Sequence, residues 1–397
     1  MPNSELSIES VFDSAGLAGE PEFVRAFEHT PGTRVDFGCG AIRRLAEHIR
    51  DLGARNVLVV TDPGIAKAGH LEKVVSLLTE AGIRSNAFDQ VIANPTTKCV
   101  NSCAEFARTS GIDLLIGLGG GSSMDTAKGC NFILTNGGRM HDYWGHDRAS
   151  KPMLPMIAIP TTAGTGSECQ SYALISDSDT HAKMACGDKK AAARVAILDP
   201  ELTVTQPRLI TAHTGIDAIA HSLETGVCNT RTEISVAYAR AAFRMMFPAF
   251  ITALESPNDI LARSRMLLGA ALAGTAIENS MLGAAHSAAN PLTAHFGIVH
   301  GEAVGVMLPH VMRFNSRDSE ISKAYQNLTG FSDIDELATA FGDYLKAGSM
   351  PTSLKQFNIS AADIETMAPE AAGQWTAQFN PIAVDATTFR ELYTRAN

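Results

Sequence analysis

Ile112-Asp113-Leu114-Leu115-Ile116-Gly117-Leu118-Gly119-Gly120-Gly121-Ser122-Ser123-Met124-Asp125-Thr126-Ala127-Lys128 decides the fold of this chain. An apolar run ends in three glycines, and small polar residues then open a helical segment. A glycine turn that closes a strand and opens a helix lets a backbone approach a pyrophosphate, with free N–H groups and a favourable dipole at the helix start. The run is neither GxGxxG nor GxxxxGK[ST]. Read alone, it is as much a tight structural turn as a phosphate site.

Working outward, the same alternation recurs. Arg55 to Asp62 is a short β-branched run, followed by an amphipathic segment through Leu78. Ser85 to Val91 is a second strand candidate, and Thr97 to Ser110 reads as a helix. Leu154 to Pro160 is another apolar run. Such runs spaced by helices predict a buried, mostly parallel sheet built from βαβ units. Tyr172 to Ile175 and Ala193 to Leu198 read as a hairpin or an edge extension. Beyond Pro207 the chain turns rich in Ala, Leu and Met at helical spacing, as in Glu233 to Met246, Asp259 to Glu278 and Glu302 to Phe314. Residues Ser332 to Asn397 are helical and polar. The expectation is an α/β dinucleotide-binding domain over 1–206 and an all-helical, metal-binding domain over 207–397, a size that fits two cores.

Two further features mark the carboxyl edge of this sheet, where open α/β sheets bind ligands. Pro160-Thr161-Thr162-Ala163-Gly164-Thr165-Gly166-Ser167-Glu168 brings hydroxyls and glycines there. Asp62, at the end of its strand, can accept hydrogen bonds from an adenosine ribose and repel a 2′-phosphate, which favours NAD over NADP; a helix N-cap is its other reading.

In the helical half, Asp217 and His221 stand four apart, so a helix puts them on one face. His286 and His300 follow, with His295 and His310 between and beyond. One carboxylate and three imidazoles form a plausible four-ligand set for a divalent transition metal; an ordinary surface pair is the plain alternative for Asp217 and His221. Glu224, one turn past His221, is a candidate outer acceptor. Of the other histidines, His29, His48, His70 and His181 read as surface residues in polar surroundings. His141 and His146 sit in an aromatic loop, His213 at a helix start, and His310 reads as structural.

The bulk numbers exclude some classes. Lys+Arg is 32 against Asp+Glu 42, a formal charge of −10, which argues against nucleic acid and anionic membrane surfaces. Apolar stretches such as Met153 to Ile159 are too short to span a bilayer. Met1-Pro2-Asn3-Ser4-Glu5-Leu6 lacks the pattern of a signal peptide. Seven cysteines without a CxxC pair read as reduced thiols of a cytoplasmic protein.

Taken together and in order, Asp62, Asn94-Pro95-Thr96, Gly119 to Lys128, Pro160 to Glu168, Gly215 to Glu224 and His286 to Gly301 resemble the iron-containing (group III) alcohol dehydrogenases, over about Gly32 to Ala396. The resemblance implies an active site in the cleft between an α/β and a helical domain. It implies Asp217, His221, His286 and His300 as ligands of Fe²⁺, with Zn²⁺ or another divalent metal as the alternative on ligand chemistry. It implies Gly119, Gly120, Gly121, Ser122 and Asp125 as the nucleotide loop, and Asn94, Thr161, Thr162, Thr165 and Lys183 as the nicotinamide side. Many members carry a further histidine where this chain has Asn290, which cannot relay a proton; Asn290 and His295 are therefore the candidates for catalytic contacts. The implied activity is an NAD-linked alcohol dehydrogenase or aldehyde reductase, in a homodimer, on a small alcohol, diol or hydroxyaldehyde. A metal favours the alkoxide and a hydride passes to the nicotinamide. A hydroxyacid–oxoacid transhydrogenase that retains NAD, and a non-catalytic binding relative, are the alternatives.

Overall fold

The computed structural model describes residues 32–180 and 182–397. The readings of Met1–Leu6, His29 and His181 lie outside the described residues. The chain divides into two compact units, one ending at Gln206 and one running from Pro207 to Asn397.

The strands of the first unit are β1 (Arg34–Phe37), β2 (Asn56–Val60), β3 (Arg84–Phe88), β4 (Leu114–Gly119), β5 (Gly145–His146), β6 (Met156–Pro160), β7 (Tyr172–Ser176), β8 (Lys183–Gly187) and β9 (Val195–Leu198). Its helices are α1 (Leu45–Asp51), α2 (Pro63–Lys67), α3 (His70–Glu80), α4 (Thr97–Ser110) and α5 (Gly121–Asn136). Six strands form one parallel sheet in the order β1-β9-β6-β4-β2-β3. Alternate residues feed two cores. Leu58, Val60 and Leu115 meet Val100 and Cys103 of α4 and Met124 and Ala127 of α5. Val57, Val59, Ile116, Ile157 and Ile197 meet Leu45 and Ile49 of α1 and Val74 and Leu78 of α3. Helices on both faces are why β2, β4, β6 and β9 read as unbroken apolar runs.

The register sets the functional edge. Val60 pairs with Gly117 and Gly119 with Pro160. Asp62, the glycine turn and the Thr161–Glu168 loop therefore leave the sheet at neighbouring points.

Two expectations about this unit need correction. Ala193 to Leu198 is no hairpin or edge piece: β9 lies inside the main sheet, between β1 and β6, while β7 pairs antiparallel with Lys183–Gly187. Val195 to Leu198 is buried throughout, and its parallel partners are distant in sequence, so nothing local signals them. His48 and His70 are buried, because their polar neighbours are their partners. His48 Nε2 lies 2.6 Å from Asp36 Oδ2, and His70 Nε2 lies 2.7 Å from Thr205 Oγ1.

The second unit is all helix: α6 (Arg208–Val227), α7 (Glu233–Glu255), α8 (Ile260–Glu278), α9 (Ala284–Phe296), α10 (His300–Asn315), α11 (Ser319–Thr329), α12 (Ile334–Ala347), α13 (Ala361–Ala372) and α14 (Ala386–Ala396). α6 is buried almost all round from Thr211 onward, as an Ala- and Gly-rich helix enclosed by others should be. Its glycines allow the neighbours in: a Cβ on Gly215 would stand 2.7 Å from Phe250, and one on Gly226 2.4 Å from Leu328. The statement that no stretch could span a bilayer also needs correction. α7 and α8 are long and apolar enough by length and composition. They pack on each other and on α6, and 44% and 67% of their most apolar windows is buried within the fold, the ordinary condition of core helices.

Candidate active site

α6 presents Asp217, His221 and Glu224 along one face, as spacings of four and three require. His286 enters from the first turn of α9, and His300 is the first residue of α10. Around the single atom Asp217 Oδ1 stand His286 Nε2 at 3.4 Å, His221 Nε2 at 3.5 Å and His300 Nε2 at 3.7 Å. Asp217, His221 and His286 offer ligand atoms all within 4.8 Å of one another. These separations are long for hydrogen bonds. Two donor atoms about 2.1 Å from one metal at a tetrahedral angle stand roughly 3.4 Å apart. Asp217 Oδ1 and His286 Nε2 are buried without a hydrogen-bond partner among the described residues, a costly arrangement unless a cation satisfies both. The residues therefore fit a divalent metal. Three of the four are buried, and the His300 side chain, at 28% exposure, marks the open side.

The surroundings orient the set. Glu224 Oε2 lies 2.5 Å from His286 Nδ1. A carboxylate can only accept, so Nδ1 carries the proton and Nε2 turns its lone pair toward Asp217, the usual carboxylate–histidine–metal arrangement. Glu224 Oε1 also accepts from the Ala285 N–H at 2.7 Å, and Asn380 Oδ1 from the Ala284 N–H at 3.3 Å. Two side chains from elsewhere thus cap α9, whose Gly283 start supplies no cap of its own. Burial opposes charge on Asp217, yet the three imidazoles hold its carboxyl well below the usual range. Burial likewise pushes the His286 imidazole down, but Glu224 and Asp217 outweigh it and raise it to about 9. That is the pull on a proton which a metal ion would replace. Gly301 lets α10 approach: a Cβ there would stand 2.2 Å from the His213 carbonyl oxygen. His213 Nε2 itself lies 3.1 Å from Glu302 Oε1.

At the sheet edge of the other unit, Gly120 begins α5 without a side-chain cap, leaving its first N–H groups to a ligand. Gly119 has φ +136°, a backbone that glycine tolerates. A Cβ on Gly121 would lie 2.8 Å from Thr165 Cγ2, and one on Gly120 3.4 Å from Thr162 Oγ1. The glycine turn and the threonine loop are thus in contact. Asn94, at φ 51°, donates its N–H to Ser122 Oγ at 3.3 Å and joins them. Thr61 Oγ1, Ser123 Oγ and Thr161 Oγ1 are buried at this edge without partners among the described residues. Unsatisfied hydroxyls and a bare helix start fit a dinucleotide.

Not every expected residue lies at the open edge. Asp62 caps α2, with Oδ1 accepting from the Gly64 and Ile65 N–H groups at 2.8 and 3.1 Å; Oδ2 lies beside Gly119. Asp125 is buried beneath the threonine loop and accepts from Ser167 Oγ at 2.8 Å. Burial raises its pKa, against the pull of Lys128, Ser167 and Lys183, so it enters as a support for the loop. Lys183 opens β8. Asn290 follows His286 by one turn and donates Nδ2 to Gln374 Oε1 at 2.9 Å. His295 is not brought to the cluster. Nine residues past His286, it falls on the opposite face of α9, roughly 13 Å along the axis, and is half-exposed against Glu370, 2.7 Å away. His310 is held low, at about 4, by burial and by Arg313 and Arg395. Asn380 was missed; it acts on Ala284 from a position far along the chain and carries no spacing signal.

Comparison with known proteins agrees with this construction. Residues 32–200 match the model of the iron-containing alcohol dehydrogenases, and residues 211–397 that of the Fe-containing alcohol dehydrogenase C-terminal region. The chain is 40% identical over 282 residues to alcohol dehydrogenase 4 of Schizosaccharomyces pombe, covering 71% of this chain and 67% of that one. It is 33% identical to the NAD-dependent methanol dehydrogenase of Bacillus methanolicus, covering 87% and 93%. Among solved structures, a 1,3-propanediol oxidoreductase superposes with a TM-score of 0.89 at 29% identity, covering 94% and 100%. The sulfoacetaldehyde reductase of Bifidobacterium kashiwanohense in complex with NAD⁺ superposes with a TM-score of 0.85 at 27% identity, covering 94% and 99%. Fold and site together define an NAD-dependent oxidoreductase of alcohols with an Asp-His-His metal site. The chain belongs to the iron-containing alcohol dehydrogenase family.

Proposed function

We propose that this protein interconverts a small alcohol, diol or hydroxyaldehyde with its carbonyl partner, using NAD in preference to NADP and a divalent metal held by Asp217, His221, His286 and His300. Fe²⁺ is the expected metal and Zn²⁺ the alternative. One observation carries the reading: three imidazole nitrogens converge on Asp217 Oδ1 at 3.4 to 3.7 Å. Relatives named for methanol, choline, 1,3-propanediol and sulfoacetaldehyde support a small, polar substrate, while one of 33% identity is named for long-chain alcohols, which belong on the same substrate panel.

When bound, the cation would lower the pKa of a substrate hydroxyl or polarise a carbonyl, and the nicotinamide would take or return the hydride. The chain's own groups bind and orient. Glu224 keeps the His286 proton on Nδ1, so Nε2 stays a donor. His300, partly exposed where the other three ligands are buried, leaves an approach for substrate. Asn290, tied to Gln374, offers a neutral amide that holds a polar group and moves no proton. Beside Gly119, the Asp62 carboxylate would repel a 2′-phosphate. We also propose a reducing compartment, which the absence of any disulfide among the seven cysteines supports.

Steady-state rates over a panel of short and long-chain alcohols, diols and aldehydes test this, with NAD and NADP, on iron-loaded and zinc-loaded protein. The reading expects turnover with free NAD and a kcat/KM at least tenfold lower with NADP. Copurified NAD with no turnover of added NAD would instead select transfer between two bound substrates. No redox activity in either metal form would refute the assignment.

A further inference from the structure

We propose that the stretch from Glu370 to Asn380 is a clasp that sets the rotation of α9, and that Asn380 is the positioning residue through which it holds His286 at the metal. The inference rests on the metal reading above. α9 must deliver a ligand from its first turn, where a helix offers its N–H groups no backbone partners of its own. Its start at Gly283 carries no side-chain cap, and Pro291 stands inside it. A proline has no N–H to give, so the bond that would reach back to the Ser287 carbonyl, next to His286, is missing. The backbone alone therefore directs this end of α9 weakly.

The direction comes from outside. The last turn of α13 and the residues after it run antiparallel to α9 and bond to it in order. Glu370 Oε2 lies 2.7 Å from His295 Nε2, and Gln374 Oε1 accepts from Asn290 Nδ2 at 2.9 Å. Thr376 Oγ1 lies 2.7 Å from Ser287 Oγ, and Asn380 Oδ1 accepts from the Ala284 N–H at 3.3 Å. Each step forward along the clasp is a step back along the helix, over roughly 16 Å of its axis. The two ends differ in weight. The His295 and Glu370 side chains are 40% and 44% exposed, so water screens their contact. Ser287, Thr376 and Asn380 are buried, where losing a bond strands a polar group. The clasp is thus strongest beside His286.

The Asn380 amide can point only one way. Nδ2 donates to Asn315 Oδ1 at 2.7 Å and to the Ile382 carbonyl at 2.8 Å. A carbonyl can only accept, so the nitrogen is assigned and Oδ1 faces α9. Oδ1 also accepts from Asn315 Nδ2 at 3.2 Å. Asn315 ends α10, the helix that opens with His300, so one amide pair joins the two helices that carry His286 and His300. A Cβ on Gly283 would stand 3.0 Å from Asn380 Oδ1 and 3.2 Å from Glu224 Oε1. The two acceptors therefore lie side by side at the helix start. Glu224 holds the His286 ring and the Ala285 N–H, and Asn380 holds the N–H before it. Without Asn380 the first turn pivots on Glu224 alone, and His286 Nε2 swings away from Asp217 Oδ1.

The test uses the full-length protein in four forms: wild type, Asn380→Ala, Thr376→Val and Glu370→Ala. Fe²⁺ and Co²⁺ are the probes. Metal Kd is measured by chelator competition well below the Tm of every form, alongside the Tm of the metal-free protein and the visible spectrum of the Co²⁺-loaded protein. In Asn380→Ala the Kd should rise about tenfold, as for other changes behind a metal ligand, and the Co²⁺ bands should shift. Thr376→Val, which loses one buried hydrogen bond, should raise the Kd about fivefold. Glu370→Ala should stay within twofold of wild type. A folded Asn380→Ala that binds metal within twofold of wild type, with unmoved Co²⁺ bands, overturns the inference, whatever its Tm. So does an equal rise in all three variants, which would mark general loosening. If Asn380→Ala does not fold, Thr376→Val decides by the same twofold limit. Wild type that binds neither metal overturns the proposed function and this inference with it.

Discussion

The metal cluster and the nucleotide edge are built on opposite principles. At the cluster every job is done by the functional group of a side chain, a carboxylate or an imidazole. Asp217, His221, His286 and His300 supply charge and lone pairs, and Glu224 decides which nitrogen of His286 is free. At the nucleotide edge the decisive residues are those that lack side chains. Gly119, Gly120 and Gly121 leave room for a backbone approach, and the fit is set by contact with Thr162 and Thr165. The first site should therefore be sensitive to chemistry at constant volume. The second should be sensitive to volume at constant chemistry.

Substitutions can break that contrast. His221→Ala removes a ligand and should lower metal affinity by more than the roughly 10–100-fold typical of outer-shell changes, with turnover falling in step. Metal analysis and kcat check it, and NAD binding should survive. Glu224→Gln keeps the volume but loses the charge and one of the two acceptor oxygens shared by His286 Nδ1 and the Ala285 N–H, so metal affinity should fall about 10–100-fold. Retained affinity would show that shape alone orients the imidazole. Gly121→Ala adds one methyl group 2.8 Å from Thr165 Cγ2. NAD affinity should drop about tenfold at unchanged metal content, since overpacking costs about 1–3 kcal/mol; equal loss of metal would erase the distinction.

A last effect, on stability and not on binding, concerns Glu168, buried at the end of the threonine loop. Burial raises its carboxyl to about 7 from an ordinary 4.5, against the pull of its own N–H and of Lys128. The folded state then holds the proton more tightly than the unfolded chain. Its stabilisation is complete below about pH 4.5 and is lost as pH rises through 7, a change of up to about 3 kcal/mol. Glu168→Gln should flatten this part of the stability curve. Urea unfolding at pH 5 and pH 8 measures it, and identical slopes in both forms would show that Glu168 is solvated.

The same contrast explains what was legible in the sequence. Strands β2, β4 and β6 announced themselves as apolar runs because both of their faces are covered, and α4 was read at its observed limits. β9 was misplaced because parallel pairing joins residues far apart, such as Val35 and Ala196, and a four-residue strand carries no mark of its neighbours. That Asp217 and His221 share one helix face was readable from spacing alone. The arrival of His286 and His300 beside them depends on how α9 and α10 pack on α6, which no spacing states; the family resemblance supplied it. Residues acting across long separations, such as Asn380 on Ala284 and Lys128 on Ser167 and Tyr172, left no trace in the pattern. His48 and His70 looked exposed for a related reason, since the polar partners that bury them cannot be told from solvent.

The direct test is X-ray absorption spectroscopy of the protein loaded anaerobically with Fe²⁺, and separately with Zn²⁺, at one equivalent per chain. The predicted first shell has three imidazole nitrogens and one carboxylate oxygen, and loses one nitrogen in His300→Ala. A shell with two or fewer imidazoles, or one unchanged by that substitution, would contradict the four-residue site.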